Sequence, residues 1–213
     1  ANPREWGPQI EFLRRLRAHL DAGQRAADFP CAGQESEWLA GANLLSARPQ
    51  LLVANVGEAS LPDGGPQAER VREIARQTGS EAVVLCASVE ADLAQMPPDE
   101  AAEFRAEFGL GESGLARLAH AGYRLLNLIT FFTATGAEEV RAWPLRAGRS
   151  VYEAAGLIHT DMQRGFIRAE VIPWDRLAAA GSWTAARSAG AVRVEGRDYL
   201  VQDGDVIHIR FSA

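Results

Sequence analysis

The chain contains no lysine; all 22 of its basic residues are arginine. A G+C-rich codon bias accounts for that most simply. The chemical consequence is an exclusion, because neither a Schiff-base amine nor a Gly-x-x-x-x-Gly-Lys-Ser/Thr phosphate loop can be built without lysine. Cysteine is nearly as scarce. Cys31 and Cys86 are the only two, too few for a disulfide framework, so a reducing, cytoplasmic compartment is expected. The apolar runs are short: residues 50–54 and 82–86 are strand-sized and far below a membrane span, and nothing at the start reads as a basic-then-apolar leader. No membrane partner is expected. Positive charge is in deficit as well, with 28 acidic residues giving a net charge of -6. That disfavours broad nucleic-acid binding and leaves a local basic face open. What is present, over 213 residues at 47% hydrophobic and 23% charged, is the composition of a folded globular chain of one large or two small domains.

Three patterns follow one another along the chain. Residues 9–22 carry Ile10, Leu13, Leu16 and Leu20 at spacings of three and four, which predicts an amphipathic helix with Pro8 in its first turn and Gly23 past its end. A second helix is expected over 36–46, making a helical hairpin or arm. After Pro49 the period changes. Residues 51–54 and 82–86 read as strands buried on both faces, separated by a helix over 67–78 that Gly79 ends. Helices over 98–108 and 114–128 follow. Strand, helix, strand at this spacing is a βαβ unit, and therefore a parallel sheet, of which only two strands are visible. From Thr130 onward come short alternating strands, 139–145 and 165–172, a helix capped by Ser150, a mostly helical stretch 174–189, and a hairpin of 192–195 with 199–201. A last strand covers 206–211. About eighty residues of this kind suggest a small α+β domain such as a β-grasp. The sequence begins at Ala1 inside what reads as helix, as the middle of a longer protein would.

The sharpest local signal is Asn55-Val56-Gly57-Glu58, immediately after the first buried strand, with Cys86-Ala87-Ser88 in the same place after the second. Ligands in open α/β sheets bind beyond the carboxyl ends of the strands, and two such loops hold the base in P-loop nucleotide-binding domains. The guanine-specific first loop reads Asn-Lys-x-Asp. Here Val56 replaces the lysine and Glu58 the aspartate, one methylene longer, which displaces bidentate contact with guanine. An ionised Glu58 is acceptor-only and cannot pair with adenine N1, whereas Asn55 can serve adenine N7 and N6. The chemistry leans to ATP over GTP. Taken alone, the same four residues also fit a simple chain turn with a solvated Glu58.

Further segments in order are Val71-Arg-Glu-Ile-Ala75, Leu128-Ile-Thr-Phe-Phe-Thr133, Glu139-Val-Arg-Ala-Trp143, Ala155-Gly-Leu-Ile-His-Thr-Asp161, Gly165-Phe-Ile-Arg-Ala-Glu-Val-Ile172 and Val201-Gln-Asp-Gly-Asp-Val-Ile-His208. In this order and spacing the chain closely resembles the YchF/Obg-like ATPase family from about residue 44 to 211. The resemblance implies an α/β architecture in three parts. Residues 1–47 are the returning half of a helical (coiled-coil) arm. Residues 48–126 hold the C-terminal strands of a P-loop NTPase parallel sheet, and 127–213 form a C-terminal TGS domain of β-grasp type. It also implies binding and hydrolysis of ATP, with GTP less favoured, association with ribosomes through rRNA or ribosomal proteins, and a monomer. Asn55, Val56 and Glu58 fall on the first base loop, and Cys86, Ala87 and Ser88 on the second.

The departure from the family matters as much. The phosphate loop and the segments that hold Mg²⁺ precede the arm in the family and are absent here. The chain as given is therefore expected to hydrolyse nothing by itself, and no catalytic residue is assigned. A different reading makes the arm and TGS domain a non-enzymatic module docking on ribosomal RNA or protein, with Arg164, Arg168, Arg193, Arg197 and Arg210 as a basic face or as an ordinary solvated one. His159 and Asp161 could be an acid/base pair, but a loop in which Asp161 accepts backbone hydrogen bonds is the plainer account. No three ligands stand at metal spacing.

Overall fold

The computed structural model describes residues 3–135 and 139–212; Ala1, where the sequence begins, lies outside them. The chain divides into two units, Ala1–Ala121 and Gly122–Ala213, each with a core of its own.

The first unit opens with α1 (Pro3–Asp21), which starts earlier than the periodicity predicts and carries Pro8 inside it. Its buried face is also rotated from the predicted one. Phe12 and Leu16 are the buried positions, packed with Leu20, Phe29 and Trp38, while Ile10 and Leu13 are 46% and 47% exposed. The Phe12 ring meets Phe29 and Trp38 edge-on at 5.7 and 5.6 Å, and aromatic area outweighs the aliphatic stripe. The second helix, α2 (Gln34–Gly41), stops short of the expected length because Asn43 takes a left-handed conformation (φ 51°).

The βαβ reading holds. Strands β1 (Leu51–Asn55) and β2 (Glu81–Leu85) pair in parallel with Asn55 opposite Leu85, and α3 (Gly65–Thr78) crosses between them. Gly79, at φ 63°, ends α3 by donating to the Ala75 and Arg76 carbonyls, the left-handed stop that glycine takes without a Cβ penalty. Ala54, Ala68 and Val84 form the seam between helix and sheet. Contrary to expectation, β1 is not buried on both faces: Ala54 is buried, but Val53 is 45% exposed. After β2 an unanticipated helix begins at once, α4 (Ala87–Leu93), followed by α5 (Pro98–Glu107) and α6 (Gly114–Leu125), which runs into the second unit.

That unit is a five-stranded mixed sheet built from β3 (Leu128–Thr135), β4 (Glu139–Arg146), β5 (Phe166–Pro173), β6 (Arg193–Glu195) and β7 (Asp205–Phe211), in the order β4-β3-β7-β5-β6. The first and last strands meet in parallel at the centre, Phe132 beside Val206, and every other neighbour is antiparallel. One sheet face packs Phe131, Ala169, Val171 and Ile207 against α7 (Val151–Ile158). The short α8 (Thr160–Arg164) follows. The other face packs Ile172 and Val206 against α9 (Trp174–Ala180) and α10 (Trp183–Ser188). The expected single helix over 174–189 is these two, broken where Gly181 turns left-handed (φ 74°) and Ser182 caps the next helix. The expected hairpin of 192–195 with 199–201 does not form. Strand β6 pairs with β5 instead, and Leu200 makes only an isolated bridge to Ser150. The cause is Asp205, whose buried carboxylate accepts from the Tyr199 hydroxyl at 2.8 Å and the Gln202 amide at 2.9 Å, folding the segment into a loop.

Candidate functional site

Parallel pairing brings the ends of β1 and β2 to the same edge, and both sequence-predicted loops begin there. Asn55 closes β1, and its Oδ1 accepts from the Ala87 amide at 3.0 Å. One side chain thus ties the first loop to the second across residues far apart in sequence. The bond also fixes the orientation of the amide. That bond takes one of the two acceptor positions of the Asn55 oxygen and leaves the Nδ2 donors for an acceptor such as purine N7.

The rest of the first loop is arranged unevenly. Val56 donates its amide to the Leu85 carbonyl at 2.9 Å, and its half-buried side chain packs against Ala54, Ala68 and Val84. Glu58 is exposed at the start of a single 3₁₀ turn, Glu58–Ser60. Its carboxylate is free to accept from an exocyclic amine or a guanine ring N–H.

The second segment is not a loop. Cys86 is the N-cap residue of α4, and Ala87 and Ser88 are its first turn. Cys86 is 3% exposed, a small buried hydrophobe with its Sγ 3.2 Å from the Ser88 hydroxyl. Ala87 and Ser88 are exposed beside Asn55. Among the six predicted positions, the structure therefore joins Asn55 to Ala87 and Cys86 to Ser88, leaves Glu58 in solvent, and commits Val56 and Cys86 to packing.

Sequence reasoning missed Glu90. From the first turn of α4, its Oε1 accepts from the Gly114 amide at 2.6 Å, satisfying one of the orphan donors at the start of α6. The only sequence signal was Glu-Ser-Gly before an apolar-periodic run, and Ser113 does cap the same helix by accepting from Ala116 at 3.1 Å. The His159–Asp161 expectation is reversed. Among the described residues the Asp161 carboxylate takes no backbone hydrogen bond; the Asp161 amide donates to His159 Nδ1 at 3.2 Å, His159 caps α8, and Asp161 Oδ2 lies 3.4 Å from the same ring nitrogen. Among the described residues no three His, Cys, Asp or Glu side chains are grouped to hold a metal ion. No described helix is long and apolar enough to cross a membrane.

Residues 128–212 match the family described as YchF-GTPase_C, protein of unknown function (DUF933). The chain is 40% identical over 206 residues to the ribosome-binding ATPase YchF of Bacillus subtilis, covering 96% of this chain and 56% of that protein. It is 46% identical over 204 residues to the ribosome-binding ATPase YchF of Haemophilus ducreyi, with the same coverage. Among solved structures, the YchF GTPase of Schizosaccharomyces pombe superposes with a TM-score of 0.82 at 25% identity, covering 97% of this chain and 55% of that one. The chain spans about half the length of the curated relatives it matches.

Proposed function

Since the chain matches the C-terminal part of the YchF/Obg-like ATPase family, we propose that it carries the base-recognition edge of an ATP- or GTP-binding, ribosome-associated protein of the cytoplasm. The observation that carries this reading is the Asn55–Ala87 hydrogen bond, which joins the ends of two parallel strands where a base would lie. Asn55 Nδ2 donates to purine N7, a contact common to adenine and guanine. Glu58 supplies the acceptor that reads the base's amine edge, and Ala87 and Ser88 flank it. Residues 1–47 serve as part of the helical arm, 48–126 as the base-binding portion of the nucleotide domain, and 127–213 as the TGS domain that meets the ribosome.

With no lysine, these 213 residues hold no phosphate loop, and contacts to a base without charge-assisted contacts to its phosphates give weak binding. Hydrolysis by this chain alone is not expected. A nuclear magnetic resonance titration of the full chain with ATP and with GTP tests the base site. The Asn55 side-chain amide and the Ala87 and Ser88 amides should shift at millimolar nucleotide in both titrations, and the Ala87 and Ser88 amides should stay still in Asn55→Ala. Shifts that leave these groups untouched would refute the site. Phosphate release from Mg-ATP by the same chain would refute its proposed inactivity. Co-sedimentation with ribosomes that falls with salt and ignores ATP would favour a docking role without nucleotide.

A further inference from the structure

On the sheet face of the second unit that α10 covers only partly, β5 and β7 run antiparallel with Arg168 directly opposite Arg210 and Glu170 opposite His208. Like charges facing each other across an antiparallel pair destabilise a sheet, so this pairing calls for a compensating anion. Glu170 supplies only part of it. Its carboxylate, 12% exposed, accepts from Arg187 at 2.6 Å and from Arg210 at 3.3 and 3.4 Å, so both oxygens are engaged. Arg168 is exposed and makes no ion pair among the described residues. Three guanidinium groups against one carboxylate leave an excess of two positive charges in a chain whose net charge is -6. Arg187 and Arg210 remain 42% exposed while Glu170 holds them, so their outer N–H groups are available and already oriented. The Arg187 guanidinium is further steadied over the Trp183 ring at 5.6 Å.

We propose that this face, formed by Arg168, Arg187 and Arg210 around Glu170, is a binding site for a phosphate group. Guanidinium forks match phosphate oxygens bidentately; a terminal phosphoryl group of nearly two negative charges cancels the local excess, and a backbone phosphodiester, with one, cancels half of it. The site stands on residues of the second unit and does not depend on the nucleotide reading of the first.

The test uses the full chain, wild type and Arg168→Gln, with two probes at matched ionic strength: inorganic phosphate in thermal unfolding, with glutamate as the control anion, and a labelled 12-nucleotide single-stranded RNA in fluorescence anisotropy. Free of ligand, Arg168→Gln should melt no lower than wild type, since it removes a repelled charge. Phosphate should raise the wild-type melting temperature and leave that of Arg168→Gln unmoved, and RNA affinity should fall about five- to tenfold in the variant. The slope of log K against log salt should flatten by about 0.7, the signature of one lost phosphate contact on a single strand. Arg168→Lys, which keeps the charge and loses the fork, should bind with intermediate affinity. A phosphate effect in the first arm assigns the site to free phosphoryl groups, and an effect confined to the RNA arm assigns it to a nucleic-acid backbone. Binding that is equal or absent in wild type and Arg168→Gln in both arms, or protection by glutamate as strong as by phosphate, would overturn the proposal.

Discussion

Tyr199 and Glu170 show two opposite ways of holding a proton in the second unit. The Tyr199 hydroxyl donates to Asp205 and accepts from Arg193, both at 2.8 Å. Burial, reinforced by the bond to Asp205, pushes its pKa up to about 12 against the opposing pull of Arg193. The folded state therefore keeps a proton that the unfolded chain gives up near 10. The stability this contributes is fully present below that value and is lost as pH rises toward 12. Tyr199→Phe should flatten this alkaline decline and, at neutral pH, cost about 1–2 kcal/mol by stripping one hydrogen bond from a buried carboxylate. Chemical denaturation at several pH values measures both. At Glu170 burial pushes the pKa up, but the hydrogen bonds from Arg187 and Arg210 together outweigh it, and the carboxyl sits below its ordinary 4.5. Its contribution is present above that value and is lost as pH falls through the lower folded value. Glu170→Gln should accordingly shrink the acid-side slope of stability, and an unchanged slope would mean the ion pairs contribute nothing to it.

Whole helices here depend on single contacts at their first residues. Gly114 opens α6 with its amide on Glu90, and a Cβ built there would stand 2.7 Å from Glu90 Oε1 and 3.0 Å from Leu85 Cβ. Replacing glycine by alanine in a helix ordinarily stabilises it by up to about 1 kcal/mol. At this position the sign should reverse, with Gly114→Ala costing about 1–3 kcal/mol from overpacking. Urea denaturation of the variant decides it, and a stabilised variant would show that the Glu90 contact is dispensable. The contact was beyond reach of the sequence because it joins two helices. What the sequence did disclose was local in origin. The βαβ unit was legible from two continuous apolar runs flanking one amphipathic period, and the α7 start from Ser150, which in the structure forms a reciprocal capping box with Glu153. Failures came where two local signals competed. Residues 199–201 read as an apolar strand, but Asp205 captures Tyr199; on α1 the Ile10–Leu13 stripe has helical spacing as good as that of Phe12–Leu16, and only the aromatic partners Phe29 and Trp38 decide which is buried. At the candidate site, the two loops were legible as positions after buried strands, whereas the Asn55–Ala87 bond that fixes their donor pattern required the parallel register.

At the scale of the molecule, the division at Ala121 and Gly122 carries a consequence for folding. All five strands of the mixed sheet, both helical layers against it and both of its apolar seams lie within the second unit. The chain reversal that closes this sheet is internal too, with β3 and β7 paired at its centre. A segment that contains its whole sheet and both sides of its core meets the requirement for autonomous folding, although at this size its stability is marginal. Residues 127–213 produced alone should therefore unfold in one cooperative urea transition. Phe131, wholly buried at the centre of its core, is the natural control: Phe131→Ala should cost about 3–5 kcal/mol, most of what a domain of this size possesses. The variant segment should then be largely unfolded in the absence of urea, by circular dichroism and by loss of dispersed amide resonances. A wild-type segment without a cooperative transition would show that the second unit needs the first in order to fold.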